Sequence, residues 1–412
     1  MTTAALHPKR LVVLVDGMAD EGRDTPLCLA HTPCMDLLAR LGRTGLLRTI
    51  PPGYPPGSEA GILSILGYDL SRCFPGRGAL EAVGLGVDLR PSDVAFRCNL
   101  VHVDASGRLA DYAAGGITTG EAAQLASALQ QSLGGGRVRF LAGTEHRLLL
   151  LLADRMPGVR CVSPLDALRR PLLSSLPAGH SPDAALLRSL VLRSREVLEG
   201  HEVNRLRRLR GLPTANAIWP YGPGHCPVLP PLSALHPALR TGAVVAAPGL
   251  VRGIGRCAGL RVPDVPGATG GYDTDYAAKA GAALRALQVE DFVLLHVEAA
   301  DTAGHEGDRE RKRLVLEDVD RLVVRPLYDE LARWSQPVTL VVLPDHATPC
   351  SLRVHTAAPV PYLVWRRGIG PDGATAFNEE AVARCHPRAD EAAVAAPGRT
   401  VGAVQGISVL EL

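Results

Sequence analysis

Short runs of Val and Leu recur along this chain, and they constrain its fold more than any other feature. Each run is followed by turn residues and then by a segment with a helical pattern, for example Thr274–Leu287 after the second run. The clearest runs are RLVVLVDG (10–17), GAVVAAPG (242–249), DFVLLHVE (291–298) and VTLVVLPDH (338–346). Continuous apolar strands are typical of a parallel sheet with both faces buried. The sequence therefore predicts an α/β fold with a doubly wound, mostly parallel sheet.

The middle of the chain carries a different pattern. The stretch VAFRCNLVHVDASGRLADYAA (94–114) has the polar alternation of an antiparallel hairpin, and EHRLLLLLADR (145–155) predicts a further strand. Residues 181–210 predict one long helix. We therefore expect a smaller α+β domain inserted into the sheet domain. The predicted division is 1–71 for the first part of the sheet domain, 72–205 for the insertion and 206–412 for the second part of the sheet domain.

Charge, apolar runs and cysteine usage exclude several classes of protein. The 44 Lys and Arg residues nearly balance 42 Asp and Glu, so we expect no nucleic-acid partner and no membrane partner. The first apolar run, Leu11 to Val15, is shorter than a signal peptide requires. Nine scattered cysteines without a C-x-x-C pair fit reduced thiols. Together these features predict a cytoplasmic protein.

Potential metal ligands directly follow the predicted strands. An Asp after a strand is more often a helix cap, and a lone His is more often a structural residue. Here, however, several such residues fall at the carboxyl ends of strands, where open α/β sheets bind ligands. They are three carboxylates and three imidazoles: Asp16, Asp301, Asp345, His305, His346 and His355. Such ligands suit Zn²⁺, Mn²⁺ or similar ions, and six of them suit two metals better than one open site.

The segment YPPGSEAGILSILGYD (54–69) supplies a candidate nucleophile, Ser58. This residue follows Pro-Pro-Gly and begins a predicted helix, where a Ser often serves only as a cap. The same position also exposes the oxygen to the helix dipole and to backbone N–H groups, which favour a phosphate. An activated Ser oxygen can attack phosphorus. The segment is therefore consistent with either a cap or a phosphoryl acceptor.

An ordered series of motifs resembles one family over nearly the whole chain. The motifs are VDG, PGSEAGILSILGYD, GRGALEAVG, GATGGYDTDYAAKA, HVEAADTAGHEGD and DHATPCSLRVH. They resemble the cofactor-independent (2,3-bisphosphoglycerate-independent) phosphoglycerate mutases of the archaeal type, in the alkaline phosphatase superfamily. The resemblance implies an alkaline phosphatase-like core with an inserted cap domain. It also implies an isomerase that interconverts 2-phosphoglycerate and 3-phosphoglycerate through a phosphoserine at Ser58.

The same resemblance implies a role for each site residue. One metal would be held by Asp16, Ser58, Asp345 and His346. The other would be held by Asp301, His305 and His355. The implied cofactors are two divalent ions, Mn²⁺ or Zn²⁺, with Mg²⁺ or Co²⁺ as alternatives. Lys279, one of three lysines in the chain, matches the family lysine that neutralises the phosphoryl group; its alternative is a surface helix lysine.

Recognition of a small phosphorylated carboxylate should use arginines of the inserted domain. Archaeal-type members commonly carry arginines where this chain has Tyr112 and Gly116, and often where it has Tyr221. The remaining candidates for substrate binding are Arg77, Arg97 and Asp111. This departure leaves open a related metal-dependent phosphotransferase or phosphatase that acts on another small phosphate or phosphonate acid, or on homoserine. A non-catalytic metal-binding protein is a further alternative, and the oligomeric state is not predicted.

Overall fold

A computed structural model describes residues 8–153, 159–386, 393–394 and 410. Within these residues the chain forms twelve strands and fifteen α-helices, numbered here in chain order. The strands are β1 (Lys9–Val15), β2 (Arg43–Arg48), β3 (Val94–Val103), β4 (Leu109–Asp111), β5 (Val138–Ala142), β6 (Arg147–Leu152), β7 (Ala217–His225), β8 (Gly242–Val245), β9 (Phe292–Val297), β10 (Val338–Leu343), β11 (Val360–Arg366) and β12 (Ala393–Val394). The helices are α1 (Pro26–Leu29), α2 (Pro33–Leu41), α3 (Ser58–Ile65), α4 (Leu70–Cys73), α5 (Arg77–Gly84), α6 (Thr119–Leu133), α7 (Pro182–Glu199), α8 (Glu202–Leu209), α9 (Leu232–Leu235), α10 (Gly249–Cys257), α11 (Tyr276–Val289), α12 (Ala299–Glu306), α13 (Arg309–Val319), α14 (Arg325–Leu331) and α15 (Glu379–Cys385).

The chain divides into two units. The core unit comprises Met1–Phe74 and Leu229–Leu412, and the inserted unit comprises Pro75–Val228. The insertion therefore ends later than residue 205, where the sequence placed its border. The reason is β7, which follows residue 205 and pairs antiparallel with β3 of the inserted unit.

The core unit is built on a seven-stranded sheet in the order β12-β2-β11-β10-β1-β9-β8. Its centre is parallel, because β1 pairs with β9 and β10, and β9 pairs with β8. Only β11 runs antiparallel to its neighbours, β10 and β2. Every residue of β9 and β10 is buried, so both faces of the sheet are covered. The predicted α/β fold with a mostly parallel sheet is confirmed.

The inserted unit has an antiparallel sheet in the order β4-β3-β6-β5, with β7 on β3. The predicted hairpin corresponds to β3 and β4, and the predicted leucine-rich strand is β6. Helices α6 and α7 contribute Leu125, Leu129, Leu187 and Leu190 to the core of this unit. The inserted unit is therefore an α+β structure with its own core.

The helices differ from the sequence prediction in one place. The segment predicted as one long helix, residues 181–210, is two helices, α7 and α8. Gly200 ends the first, and Nδ1 of His201 accepts a hydrogen bond of 3.2 Å from Val203 N at the start of the second. A side-chain cap of this kind favours a new helix start over continuation. Across the described ranges, no helix combines the length and apolarity needed to cross a lipid bilayer.

Candidate active site

Three neighbouring strands of the core unit deliver the candidate ligands to one edge of the sheet. β1 is flanked by β9 and β10, and Val15 of β1 is in register with Val297 of β9. The chain leaves β1 through Asp16, whose backbone N–H donates to Val297 O at 2.8 Å. It leaves β9 into α12 and leaves β10 into the Asp345 segment. Side chains far apart in sequence therefore meet because their strands end together.

A first cluster lies at the end of β1 and comprises Asp16, Ser58, Asp345 and His346. Nε2 of His346 lies 3.3 Å from Ser58 Oγ, 3.5 Å from Asp16 Oδ1 and 3.4 Å from Asp345 Oδ2. Ser58 Oγ lies 3.4 Å from Asp16 Oδ2. All four side chains are buried. The structure thus brings together the four residues that the sequence assigned to one metal.

A second cluster comprises Asp301, His305 and His355. Asp301 and His305 lie one turn apart on α12, and their Oδ2 and Nε2 atoms are 3.3 Å apart. Nε2 of His355 lies 3.3 Å from Asp301 Oδ1 and 2.8 Å from His305 Nε2. The outer nitrogen of each imidazole faces a backbone carbonyl, Arg353 O for His305 and Pro56 O for His355. The three residues assigned to the second metal therefore also meet.

The two clusters are adjacent. The rings of His346 and His355 have centroids 3.9 Å apart. Possible ligand atoms of Asp301, His346 and His355 lie within 4.8 Å of one another, and so do those of Asp16, Asp345 and His346. His346 is thus close to both groups. A spacing this small is the arrangement of a two-metal site.

The spacing of the ligand atoms fits divalent cations. Ligand bonds of about 2.0–2.2 Å in a tetrahedral site place neighbouring ligand atoms about 3.3–3.6 Å apart. The contacts of 3.3–3.5 Å in the first cluster fall in this range and are long for hydrogen bonds to a carboxylate. Asp16 Oδ1 and Asp345 Oδ2 are buried and have no hydrogen-bond partner. Because such burial is costly, the two oxygens favour a cation between them.

The electrostatics of the first cluster agree with this geometry. Burial, followed by repulsion from Asp345 and Asp301, raises the pKa of Asp16 well above its usual value. Burial also raises the pKa of Asp345. Like charges in a dry site therefore oppose ionisation in the protein alone. A divalent cation would relieve that repulsion and favour the ionised carboxylates.

His296 is a buried site residue that the sequence did not single out. It is the penultimate residue of β9, is fully buried, and its Nε2 lies 3.0 Å from Asp16 Oδ2. Burial lowers its pKa to about 3, so the imidazole is neutral near pH 7 and donates to the carboxylate. This contact orients Asp16 from behind. The available signal was an imidazole inside an otherwise apolar run, DFVLLHVE.

Ser58 begins α3 but does not cap it. Gly57 occupies the cap position, and Ser58 is the first residue of the helix. The helix approaches the Asp345 segment closely, because a Cβ on Gly61 would lie 2.4 Å from Asp345 O. The absence of a side chain at Gly61 therefore lets the start of α3 reach the first cluster. The position of Ser58 excludes the cap interpretation and leaves its Oγ facing Asp16 and His346.

Lys279 is buried, so its interpretation as a surface helix lysine is wrong. It lies on α11 with no exposed area, and its Nζ donates to Thr269 O at 2.9 Å. Burial lowers its pKa to about 8, against an opposing effect of Glu298. Glu298 directly follows β9. A buried lysine poised near neutral pH suits a role in charge neutralisation.

The predicted substrate contacts lie in the inserted unit, where each has an intramolecular partner. Arg77 and Arg97 both bind the carboxylate of Glu81, with 2.9 Å from Arg77 Nε to Oε1. Arg97 Nε also donates to Asn99 Oδ1 at 2.8 Å. Both carboxylate oxygens of Asp111 accept backbone N–H groups of the following turn, at 2.7 and 2.8 Å. The ion pairs and the turn give these residues structural roles, and their part in substrate binding stays a prediction.

Comparison with known proteins places this chain in a family. The family model described as 2,3-bisphosphoglycerate-independent phosphoglycerate mutase matches residues 39–204. A protein of that name from Methanothrix thermoacetophila is 43% identical over 376 residues, which cover 90% of this chain and 94% of that protein. One of the same name from Methanosarcina acetivorans is 41% identical, with 91% and 95% covered.

Solved structures agree with this placement. The PH0037 protein from Pyrococcus horikoshii superposes with a TM-score of 0.73 at 30% identity, over 92% of this chain and 93% of that one. The cofactor-independent phosphoglycerate mutase from Thermoplasma acidophilum gives 0.55 at 28% identity, over 91% and 94%. The predicted family is confirmed: this chain belongs to the 2,3-bisphosphoglycerate-independent phosphoglycerate mutases, a family of isomerases.

Proposed function

We propose that this protein is a two-metal phosphoglycerate mutase that interconverts 2-phosphoglycerate and 3-phosphoglycerate through a phosphoserine on Ser58. One observation carries the proposal. The buried Ser58 Oγ, at the start of α3, lies 3.3 Å from His346 Nε2 and 3.4 Å from Asp16 Oδ2, inside a paired cluster of potential metal ligands. Relatives that bear the name of this mutase match nine-tenths of the chain, which makes a phosphoglycerate the leading substrate.

The proposed ligands divide between the two clusters. Asp16, Ser58, Asp345 and His346 would hold one divalent cation, and Asp301, His305 and His355 would hold the other. When bound, the two cations neutralise charge on the transferring phosphoryl group and lower the pKa of the serine hydroxyl. Mn²⁺ or Zn²⁺ is proposed, with Mg²⁺ or Co²⁺ as alternatives, because carboxylate and imidazole sets accept several such ions.

The chain itself supplies the acceptor and the orientation. Ser58 Oγ forms a bond to phosphorus while the bond from phosphorus to the substrate oxygen breaks. The serine loses its proton and the substrate oxygen gains one. In the second transfer the other hydroxyl of the glycerate takes the phosphoryl group, and the serine recovers its proton. His296 keeps the Asp16 carboxylate in place through its 3.0 Å contact, and the positive end of α3 faces the phosphate.

Lys279 gives the reaction an expected alkaline limit. Since burial lowers its pKa to about 8, the side chain is charged below that pH and neutral above it. We expect kcat/KM to be high below about pH 8 and to fall above it, because the neutral amine no longer attracts the phosphate. The profile of kcat should break at higher pH, because a bound phosphoryl group stabilises the ammonium.

The Lys279→Arg variant tests this assignment, since a guanidinium stays charged throughout. Its rate should be lower than that of the wild type, but the alkaline fall should move beyond the measured range. Rates from pH 6.5 to 9.5 at saturating metal are sufficient. An unchanged break near pH 8 in this variant would assign the limit to another group.

A direct assay separates the proposed function from its alternatives. The purified protein, loaded with Mn²⁺, is given 3-phosphoglycerate without 2,3-bisphosphoglycerate, and 2-phosphoglycerate and free phosphate are measured together. Formation of 2-phosphoglycerate without phosphate release is the expected result. Phosphate release alone would indicate a phosphatase. A related transferase on homoserine would instead show phosphorylated product only when a phosphoryl donor and homoserine are present.

A further inference from the structure

We propose that Lys312 is a positioning residue that ties together the two ligand-bearing segments flanking the candidate metal centre. These are the β1 segment, residues 16–20, which carries Asp16, and the β10 segment, residues 345–350, which carries Asp345 and His346. The inference rests on the proposed function, because it concerns how the chain holds that same centre.

The environment of Lys312 is that of an internal tether. It lies in the first turns of α13 and has no exposed area. Its Nζ donates to Ala19 O at 3.0 Å, to Asp20 Oδ2 at 3.1 Å and to Thr348 O at 2.9 Å. An ammonium has three N–H donors, so these contacts use all of them. A buried ammonium is retained only when it is paired in this way, and here the pairing joins both segments.

The two segments also bind each other at the same place. Thr348 N donates to Ala19 O at 3.1 Å, and Cys350 N donates to Asp20 Oδ2 at 3.0 Å. The acceptors used by Lys312 on the β1 segment are therefore also the acceptors of the β10 segment. Lys312 completes a joint in which Ala19 O and Asp20 Oδ2 each receive a donor from α13 and one from the β10 segment.

This joint acts on both clusters of candidate ligands through Thr348. Its Oγ1 donates to Asp301 Oδ1 at 2.6 Å and lies 3.2 Å from His346 Nδ1. Space beside it is tight, because a Cβ on Gly17 would lie 2.7 Å from both Thr348 Oγ1 and Asp301 Oδ1. A shift of the Thr348 backbone would therefore change the spacing of His346 and Asp301. Metal sites tolerate errors of only about 0.2 Å in ligand distances.

Lys9 provides a matched control within the same chain. It too is buried, and its Nζ donates to three carbonyls: Leu287 O at 2.6 Å, Gln288 O at 3.0 Å and Glu290 O at 3.0 Å. However, Lys9 is at the first residue of β1, and Asp16 follows the last. At about 3.3 Å per residue, roughly 20 Å of strand separates them. Losing Lys9 removes comparable bonds without touching the ligand segments.

The test compares Mn²⁺ binding by metal-free wild type, Lys312→Met and Lys9→Met, measured by calorimetric titration, together with Tm. We expect both variants to melt at lower temperature. Only Lys312→Met should bind Mn²⁺ more weakly, by about tenfold or more, as found when outer partners of metal ligands are removed. Wild-type affinity in Lys312→Met would overturn the proposal, and so would an equal loss in Lys9→Met, which would mark general destabilisation.

Two further variants guard the result. In Lys312→Met/Asp20→Asn no buried carboxylate is left unpaired, yet the tether to Ala19 O and Thr348 O is still absent. Affinity should stay low; recovery to the wild-type value would assign the effect to the Asp20 charge and overturn the tether. Should Lys312→Met fail to fold, Lys312→Gln retains a donor and should give an intermediate affinity. Wild-type protein that binds no Mn²⁺ would instead overturn the proposed metal centre itself.

Discussion

Replacing Ser58 by Ala is expected to reduce mutase activity by about 10⁴-fold or more, because no other hydroxyl stands in for the attacking group. Ser58 Oγ is buried between Asp16 and His346, at 3.4 and 3.3 Å, and starts the helix that faces the phosphate. The measurement is the initial rate of 2-phosphoglycerate formation from 3-phosphoglycerate with Mn²⁺. Intact-mass analysis of protein quenched during turnover should show a phosphorylated fraction in the wild type and none in the variant.

Ser64→Ala is the matched control for this substitution. Ser64 lies on the same helix, α3, and is equally hidden from solvent, but it is not among the clustered ligands. Its removal should cost stability without removing the phosphorylated fraction. If Ser58→Ala kept more than about one-hundredth of the wild-type rate, a phosphoserine at this position would be ruled out, since loss of a nucleophile normally costs far more.

Replacing Asp301 by Ala should abolish turnover and lower the metal content while the fold stays intact. The carboxylate joins His305 and His355, with 3.3 Å from each imidazole to one of its oxygens. Without it, two imidazoles remain for the second cation, fewer than a catalytic divalent site normally uses. Elemental analysis after Mn²⁺ loading and dialysis should fall from two ions per chain to about one. Circular dichroism and Tm report the fold.

Asp308→Ala serves as the control for this loss of a carboxylate. Asp308 lies just beyond α12 and caps α13, accepting a hydrogen bond of 2.8 Å from Arg311 N. Its removal should cost about 1 kcal/mol of stability, as is usual for a helix cap, and leave metal content and rate near wild type. Full activity of Asp301→Ala, or two ions still bound to it, would show that the second cluster is not a metal site.

The strands and the ligands at their ends were predictable from sequence for the same physical reason. A parallel strand buried on both faces must be apolar throughout, so β1, β9 and β10 are visible as Val/Leu runs. The first polar residue after such a run marks its carboxyl end. Because those ends meet at one edge, Asp16 and Asp345 could be placed near each other before any contact was known.

Features that depend on tertiary contacts could not be predicted in this way. β7, AIWPYGPGH, contains two Pro and two Gly residues, which give it a weak strand pattern, and its pairing with β3 alone makes it a strand. The border of the inserted unit was therefore placed too early. The burial of His296, Lys279 and Lys312 likewise follows from packing of distant elements, since an isolated polar residue has no periodic signal.

The central place of β1, between β9 and β10, also has a consequence for the order in which the protein is made. Asp16 and Ser58 leave the ribosome early, whereas the other proposed ligands follow only from residue 301 onward. The intervening inserted unit is one continuous stretch that can complete its own sheet during translation. The strands beside β1 close over several hundred residues, a contact order typical of slow steps. Metal capture therefore belongs to the end of biogenesis, after the last third of the chain has docked.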